Sequence, residues 1–234
     1  MRLSRVVLPA PRKPVSSVTG EGIRRLEQGF VTAGQTIGLV GESGAGKTST
    51  LRMLAGLLTP DRGRIVVEGR TWFDSDKKIN LRPQERNPGF VFQDYALFPH
   101  MTVRENLEYG AKGKEYRSLV SHLIEMVALG DLQDRKPDTL SGGQKQRVAL
   151  ARGLALSPMV LLCDEPTSSV DVENQTTIVN ILRRINDLKE ITVIFTTHDR
   201  LQAAGLAAWA MAVEFVMAIS RLALAAHIND PDWI

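Results

Sequence analysis

The sequence predicts an α/β fold with a mostly parallel sheet core, and three patterns point to it. Apolar runs bounded by turn residues recur at 36–40, 64–68, 89–92, 159–163 and 191–196, each the length of a buried strand. Helical spacing of apolar residues dominates 47–57, 116–128, 144–156 and 174–188. Strand and helix alternate in the flanks while the middle is helical, which predicts a sheet interrupted by a helical insertion from about Asp94 to Leu156. The 234 residues suffice to bury a full core, and 1–234 reads as one domain without internal repeats.

The first expected strand, Ile37-Gly38-Leu39-Val40, runs into Gly41-Glu42-Ser43-Gly44-Ala45-Gly46-Lys47-Thr48 and then Ser49. A helical pattern through Leu51, Met53, Leu54 and Leu58 follows. Strand, glycine loop and helix in that order form the context a phosphate-binding loop requires. Gly41, Gly44 and Gly46 let the backbone curl so that successive N–H groups face a polyphosphate. The helix adds its positive end, Lys47 reaches the β- and γ-phosphates, and the Thr48 hydroxyl can ligate Mg²⁺. The expected nucleotide-binding residues here are Gly41, Glu42, Ser43, Gly44, Ala45, Gly46, Lys47, Thr48 and Ser49.

The expected strand Val160-Leu161-Leu162-Cys163 ends in Asp164-Glu165. Adjacent acids at the carboxyl edge of a buried strand are costly unless they face a metal or a reacting water. Beside a phosphate loop, Asp164 is placed to hold Mg²⁺ and Glu165 to orient or deprotonate water. Leu140-Ser141-Gly142-Gly143-Gln144 opens another helix, with Ser141 as its expected cap and a second set of free N–H groups for an anion. One nucleotide does not need both helix ends of one molecule. A head-to-tail dimer uses both, each copy capping its partner's nucleotide.

Composition excludes several classes. The formal net charge of +3 is mild, and no Lys/Arg block is dense enough for a nucleic-acid arm, which predicts no nucleic-acid partner. The single cysteine, Cys163, sits in an apolar strand and reads as a small buried hydrophobe in a reducing, cytoplasmic setting. Met1 to Gly20 has basic residues but no apolar stretch of signal-peptide length. Leu201 to Ala226 is rich in Ala, Leu, Val and Met, yet Glu214 and Arg221 interrupt it, and a spanning helix needs about 20 mostly apolar residues. It reads as a core helix plus core strand.

Together the phosphate loop, the Leu140–Gln144 signature and the Asp164-Glu165 pair resemble the ATP-binding subunits of ABC transporters, over about Gly34 to Asp199. The resemblance implies a P-loop NTPase fold with an N-terminal antiparallel β portion and a helical subdomain carrying the signature. By the same resemblance Gln93 is the lid-loop glutamine that senses Mg²⁺, Asp171 the aspartate that crosses the dimer interface, and His198 the switch histidine at the γ-phosphate. Thr48, Gln93 and Asp164 are then the metal residues. Glu165, His198, Gln93 and Lys47 are the catalytic ones, and Ser141, Gly142, Gly143, Gln144 and Asp171 reach nucleotide.

A finer likeness runs through Trp72-Phe73-Asp74, Ile79-Asn80-Leu81, Phe92–His100 and Met101–Leu107. It is similar to the ATPases of bacterial importers, most of all those for molybdate. The implied partners are a second ATPase subunit in a homodimer, permease subunits in the membrane, and indirectly a solute-binding protein. The implied location is the cytoplasmic face of the inner membrane. A groove near Tyr95 to Met101 is expected to receive a short coupling helix. Other readings remain open: a different solute, a non-transport relative acting on DNA or ribosomes, or a weakly active module.

The chain departs from the family pattern twice. Upstream, where an aromatic residue usually stacks on adenine, it has Ser17-Val18-Thr19-Gly20. Base stacking on an aromatic contributes about 1–3 kcal/mol in nucleic-acid binders, so weaker ATP affinity is expected unless Arg24 or Arg25 stacks instead. After His198, an Ala-rich stretch through Ala207-Ala208-Trp209 replaces the usual continuation, which makes 205–234 an atypical tail. Nor do these residues include the accessory regulatory domain of many importer ATPases.

Overall fold

A computed structural model describes residues 34, 36–109, 115–168, 170–189 and 191–198. They fall into two compact units, one running up to Arg86 and resuming at Thr196, the other spanning Asn87–Phe195. The stretch Ser17–Gly20, Arg24, Arg25 and the tail 205–234 lie outside the described residues.

The first unit holds β1 (Thr36–Val40), α1 (Lys47–Ala55), β2 (Arg64–Val67), β3 (Arg70–Asp74), β4 (Ile79–Asn80) and the short helix α2 (Pro83–Arg86). Helix α1 buries Leu51, Met53, Leu54 and Ala55, the face its apolar spacing predicts. It stops at Ala55 rather than at 57. Gly56 adopts φ 78° and its N–H returns to the Met53 carbonyl at 3.2 Å, while Leu57 N–H returns to Arg52 at 2.8 Å.

The buried guanidinium of Arg86 completes that helix end. It donates to the carbonyls of Met53 at 2.7 Å and Leu54 at 2.9 Å, to Leu81 O at 2.9 Å and to Asn80 Oδ1 at 3.0 Å. Burial pushes its pKa down to about 10, which leaves it cationic at neutral pH against the helix's negative end.

Strands β2, β3 and β4 form an antiparallel sheet in that order. A two-residue turn joins β2 to β3, with Glu68 at φ 48° and Gly69 at φ 79°, the left-handed pair that matches strand twist. This sheet is the antiparallel portion the family likeness implies. Strand β3 is absent from the apolar runs of the sequence because Arg70, Thr71 and Asp74 make up most of it, and β4 because it is two residues long. Pairing across the turn, Arg64 with Asp74 and Val67 with Arg70, makes β3 a strand.

The second unit carries β5 (Gly89–Val91), β6 (Val160–Cys163) and the body of β7 (Thr192–Thr197), with helices α3 (Val103–Glu108), α4 (Glu115–Met126), α5 (Gly142–Leu154) and α6 (Val172–Lys189). Strand β6 is buried throughout and pairs in parallel with β5 and β7, Leu161 opposite Gly89 and Val193. Burial on both faces explains its uninterrupted apolar run. Helix α5 packs on β5, α3, α4 and α6. At Gly89 the approach is so close that a Cβ would stand 2.5 Å from the Gly153 carbonyl.

Helix α3 is an addition to the expected elements. Its signal was legible as a capping box: Thr102 Oγ1 accepts from Glu105 N–H at 3.2 Å and Glu105 accepts from Thr102 N–H at 2.7 Å. Helix α5 starts at Gly142 rather than 144, since Ser141 and Gln144 form a second such box. Among the described residues no helix is long and apolar enough to cross a membrane.

Candidate functional site

In the first unit, the loop after β1 closes on itself before α1 begins. Gly44 and Gly46 sit at φ 85° and 84°, and a Cβ on either would meet nothing within 4 Å. Backbone angle, not space, therefore requires glycine at both. Glu42 to Ala45 are exposed. The Lys47 ammonium folds back over the loop, donating to Gly41 O at 2.7 Å and Glu42 O at 2.8 Å. Thr50 N–H and its hydroxyl both donate to Gly46 O, at 2.9 and 3.1 Å, which fixes the first turn of α1. Thr48 and Ser49 are half-buried in that turn. Gly41 N–H donates to Thr197 O at 3.4 Å, so the base of the loop lies beside the residue preceding His198, which is exposed.

In the second unit, the end of β6 gathers the acids. Asp164 N–H donates to Val91 O at 2.9 Å, extending the β5–β6 ladder by one residue and burying Asp164. Glu165 then takes φ 47°, a left-handed backbone that is rare for a non-glycine residue. Ser168 holds this turn, its N–H and hydroxyl both donating to Glu165 O at 3.3 and 3.1 Å. The turn presents the Glu165 carboxylate to Gln93 beyond β5, and the amide donates to Glu165 Oε2 across a long 3.4 Å. Asp164, Glu165 and Gln93 thus stand together at the carboxyl edge of a parallel sheet, where α/β folds place their ligands.

The signature lies at the start of α5. Ser141 is its N-cap, accepting from Gln144 N–H at 3.3 Å while Gln144 Oε1 accepts from Ser141 N–H at 2.8 Å. Ser141 and Gly142 are exposed and Gly143 is buried. A Cβ on Gly143 would overlap the side-chain amide of Asn174. That amide donates to Asp171 Oδ2 at 2.8 Å, and Asn174 N–H donates to Asp171 Oδ1 at 2.9 Å. These bonds, the backbone one first, hold the Asp171 carboxyl below its ordinary pKa. The first turns of α5 and α6 are therefore keyed together, with Asp171 capping the second of them. Asn174 has no signal in the sequence, because an Asn three residues into a helix points to nothing without its neighbour Gly143.

A glycine loop feeding a helix, with an acid pair at a parallel strand end, defines the phosphate-loop class of nucleotide-binding folds. Comparison with known proteins is more specific. The family model described as ABC transporter matches residues 29–168. This chain belongs to that family. It is 43% identical over 189 residues to the molybdenum import ATP-binding protein ModC of Brucella melitensis, covering 80% of this chain and 52% of that one. It is 44% identical over 182 residues to the sulfate/thiosulfate import ATP-binding protein CysA of Thermosynechococcus vestitus, covering 76% and 52%. The chain thus spans about half the length of these curated relatives. A dimeric ATP-binding cassette solved in a post-hydrolysis state with ADP and Pi is similar at 28% identity and TM-score 0.63, covering 86% of this chain and 88% of that one. The dimeric structure of a bacterial ABC transporter cassette is similar at 28% identity and TM-score 0.66, covering 88% and 91%.

Proposed function

We propose that this chain binds and hydrolyses ATP and so powers an ABC importer, with molybdate or another small anion as the solute. The observation that carries the reading is the Asp164, Glu165 and Gln93 cluster at the β5–β6 edge, in a chain that also carries the glycine loop closed by Lys47. Lys47 would exchange its loop carbonyls for phosphate oxygens, and the N–H groups of 44–48 would take the rest of the triphosphate. Thr48, Gln93 and Asp164 offer oxygen donors only, the hard set that suits Mg²⁺, which would neutralise charge on the phosphates.

Glu165 would take a proton from water as it attacks the γ-phosphorus and the bond to ADP breaks, with His198 holding the geometry. Ser141, Gly142, Gly143 and Gln144 would close on the γ-phosphate of a second copy, and Asp171 would reach across the same junction. This chain would sit at the cytoplasmic face of the inner membrane, and transport would take place through integral-membrane permease subunits fed by a solute-binding protein.

Sulfate is the second reading, favoured by the equal likeness to a relative named for sulfate/thiosulfate import. The test of the ATPase assignment is phosphate release by the purified chain with Lys47→Ala and Glu165→Gln beside it. Both variants are expected to be inactive, Lys47→Ala through lost ATP binding and Glu165→Gln with binding retained. Parental turnover in Glu165→Gln would remove that residue from the chemistry. Uptake of labelled molybdate and sulfate, by this chain reconstituted with permease subunits of each kind, decides between the solutes.

A further inference from the structure

The segment following Gln93 turns through two consecutive left-handed residues, Tyr95 at φ 65° and Ala96 at φ 47°. Neither is glycine, and such a pair persists only where its surroundings over-determine it. One guanidinium does so. Arg152 donates from Nη1 to Ala96 O at 2.6 Å and from Nη2 to Tyr95 O at 3.0 Å, and its planar head lies 5.5 Å over the Phe98 ring. A fork that grips two successive carbonyls fixes their orientation, which a single donor cannot.

The other end of the segment is held independently. Asn106, fully buried, accepts from Phe98 N–H at 2.9 Å and donates to the carbonyls of Phe98, Met101 and Thr102. Arg152 sits in the last turn of α5, the helix that Ser141 begins. Its guanidinium goes to the Gln93 segment, while its own carbonyl accepts from Ala155 N–H.

We infer that Arg152 is a positioning residue: it holds the loop behind Gln93 in its strained form, so that the signature helix and the surface from Tyr95 to Met101 move as one piece. Gln93 enters the same loop, so the clamp also sets where its amide meets Glu165. The consequence for turnover rests on the ATPase reading above; the clamp itself does not.

Two measurements on the full chain separate these. Amide exchange without nucleotide is followed in peptides covering 93–101 and 115–126. Arg152→Met is expected to speed exchange in 93–101 about tenfold and to leave 115–126 within about twofold. Adding Ala96→Gly, which tolerates the left-handed angle unaided, reverses most of that change. Adding Ala128→Gly, which relieves an equally left-handed residue elsewhere at φ 53°, does not. Equal acceleration in both peptides, or equal rescue by both glycines, overturns the inference.

Arg152→Lys, with one point donor, gives an intermediate rate and carries the comparison should the Met variant not fold. In phosphate release, Arg152→Met is expected to lower kcat about tenfold with KM for ATP within about threefold, and Ala96→Gly to restore it. A parent that hydrolyses nothing, with exchange as described, defeats the ATPase reading and leaves the clamp standing. Active parents with unchanged exchange in 93–101 defeat the clamp.

Discussion

Glu165 shows how a single residue is made to serve a site. Its backbone is left-handed, a conformation that costs on the order of 1–2 kcal/mol for a residue with a Cβ. The two Ser168 bonds hold it there, and the result is a carboxylate turned to the Gln93 amide. Glu165→Gly is thus expected to relax the turn while deleting the acid, so that phosphate release is lost with the fold intact. A circular dichroism spectrum beside the assay distinguishes this from unfolding. Asp171 makes a second residue-level case, one that depends on pH. Its folded-state pKa lies below the ordinary 3.8, so the unfolded chain binds the proton more tightly. The stability its charge contributes is therefore complete above the unfolded pKa and lost as pH falls through the lower, folded value. Asp171→Asn retains one capping oxygen for the Asn174 N–H and loses the charge together with the acceptor for the Asn174 side-chain amide. Its thermal midpoint should lie below the parent's at pH 6, and the gap should close as pH falls below about 4.

Elements are positioned by contacts that link their ends, and the meeting of α5 and α6 is one of these. Gly143→Ala drives a methyl into the Asn174 amide and is expected to destabilise the chain by about 1–3 kcal/mol in chemical denaturation. Asn174→Ala clears that space. The double variant should recover part of the loss, and strictly additive effects would show that the two helix starts are not coupled. This contact also marks what the sequence conceals. The phosphate loop, the signature and the acid pair were legible because each concentrates its chemistry in consecutive residues: Gly41–Thr48 needs glycine by backbone angle, and Ser141 with Gln144 spells its own cap. Strands β1, β2, β5, β6 and β7 were legible from apolar runs. Strands β3 and β4 were not, because pairing creates them, Arg64 with Asp74 for β3 and Phe73 with Asn80 for β4. Arg86, Arg152, Asn106 and Asn174 were equally hidden. An arginine in a helix looks solvated until the carbonyls it grips are known, and those lie far away in sequence, 33 residues from Arg86 to Met53 and 56 from Arg152 to Ala96. Asn106 and Asn174 bond nearby in sequence, but which atoms they meet is set by folding of the loop and by the approach of Gly143.

At the scale of the molecule, the two helix starts proposed above to face phosphate lie, among the described residues, in different structural units. Lys47 begins α1 in the first, and Ser141 caps α5 in the second. Each offers N–H donors and the positive end of a helix, and the Ser141-Gly142 turn is exposed. A second copy supplying the triphosphate would satisfy it, and the assembly closes if each copy does the same for the other. Ser141→Arg places a long side chain in that junction while leaving the Gly41–Ser49 loop untouched. In a Glu165→Gln background, which should hold ATP without consuming it, the parent is expected to elute as a dimer with ATP and as a monomer without it. The added Ser141→Arg should weaken that dimer at least about tenfold, or roughly 1.4 kcal/mol, with monomer affinity for ATP unchanged by filter binding. An equal loss of monomer binding would place residues 141–144 in the chain's own nucleotide site, and ATP would then close the molecule on itself rather than on a twin.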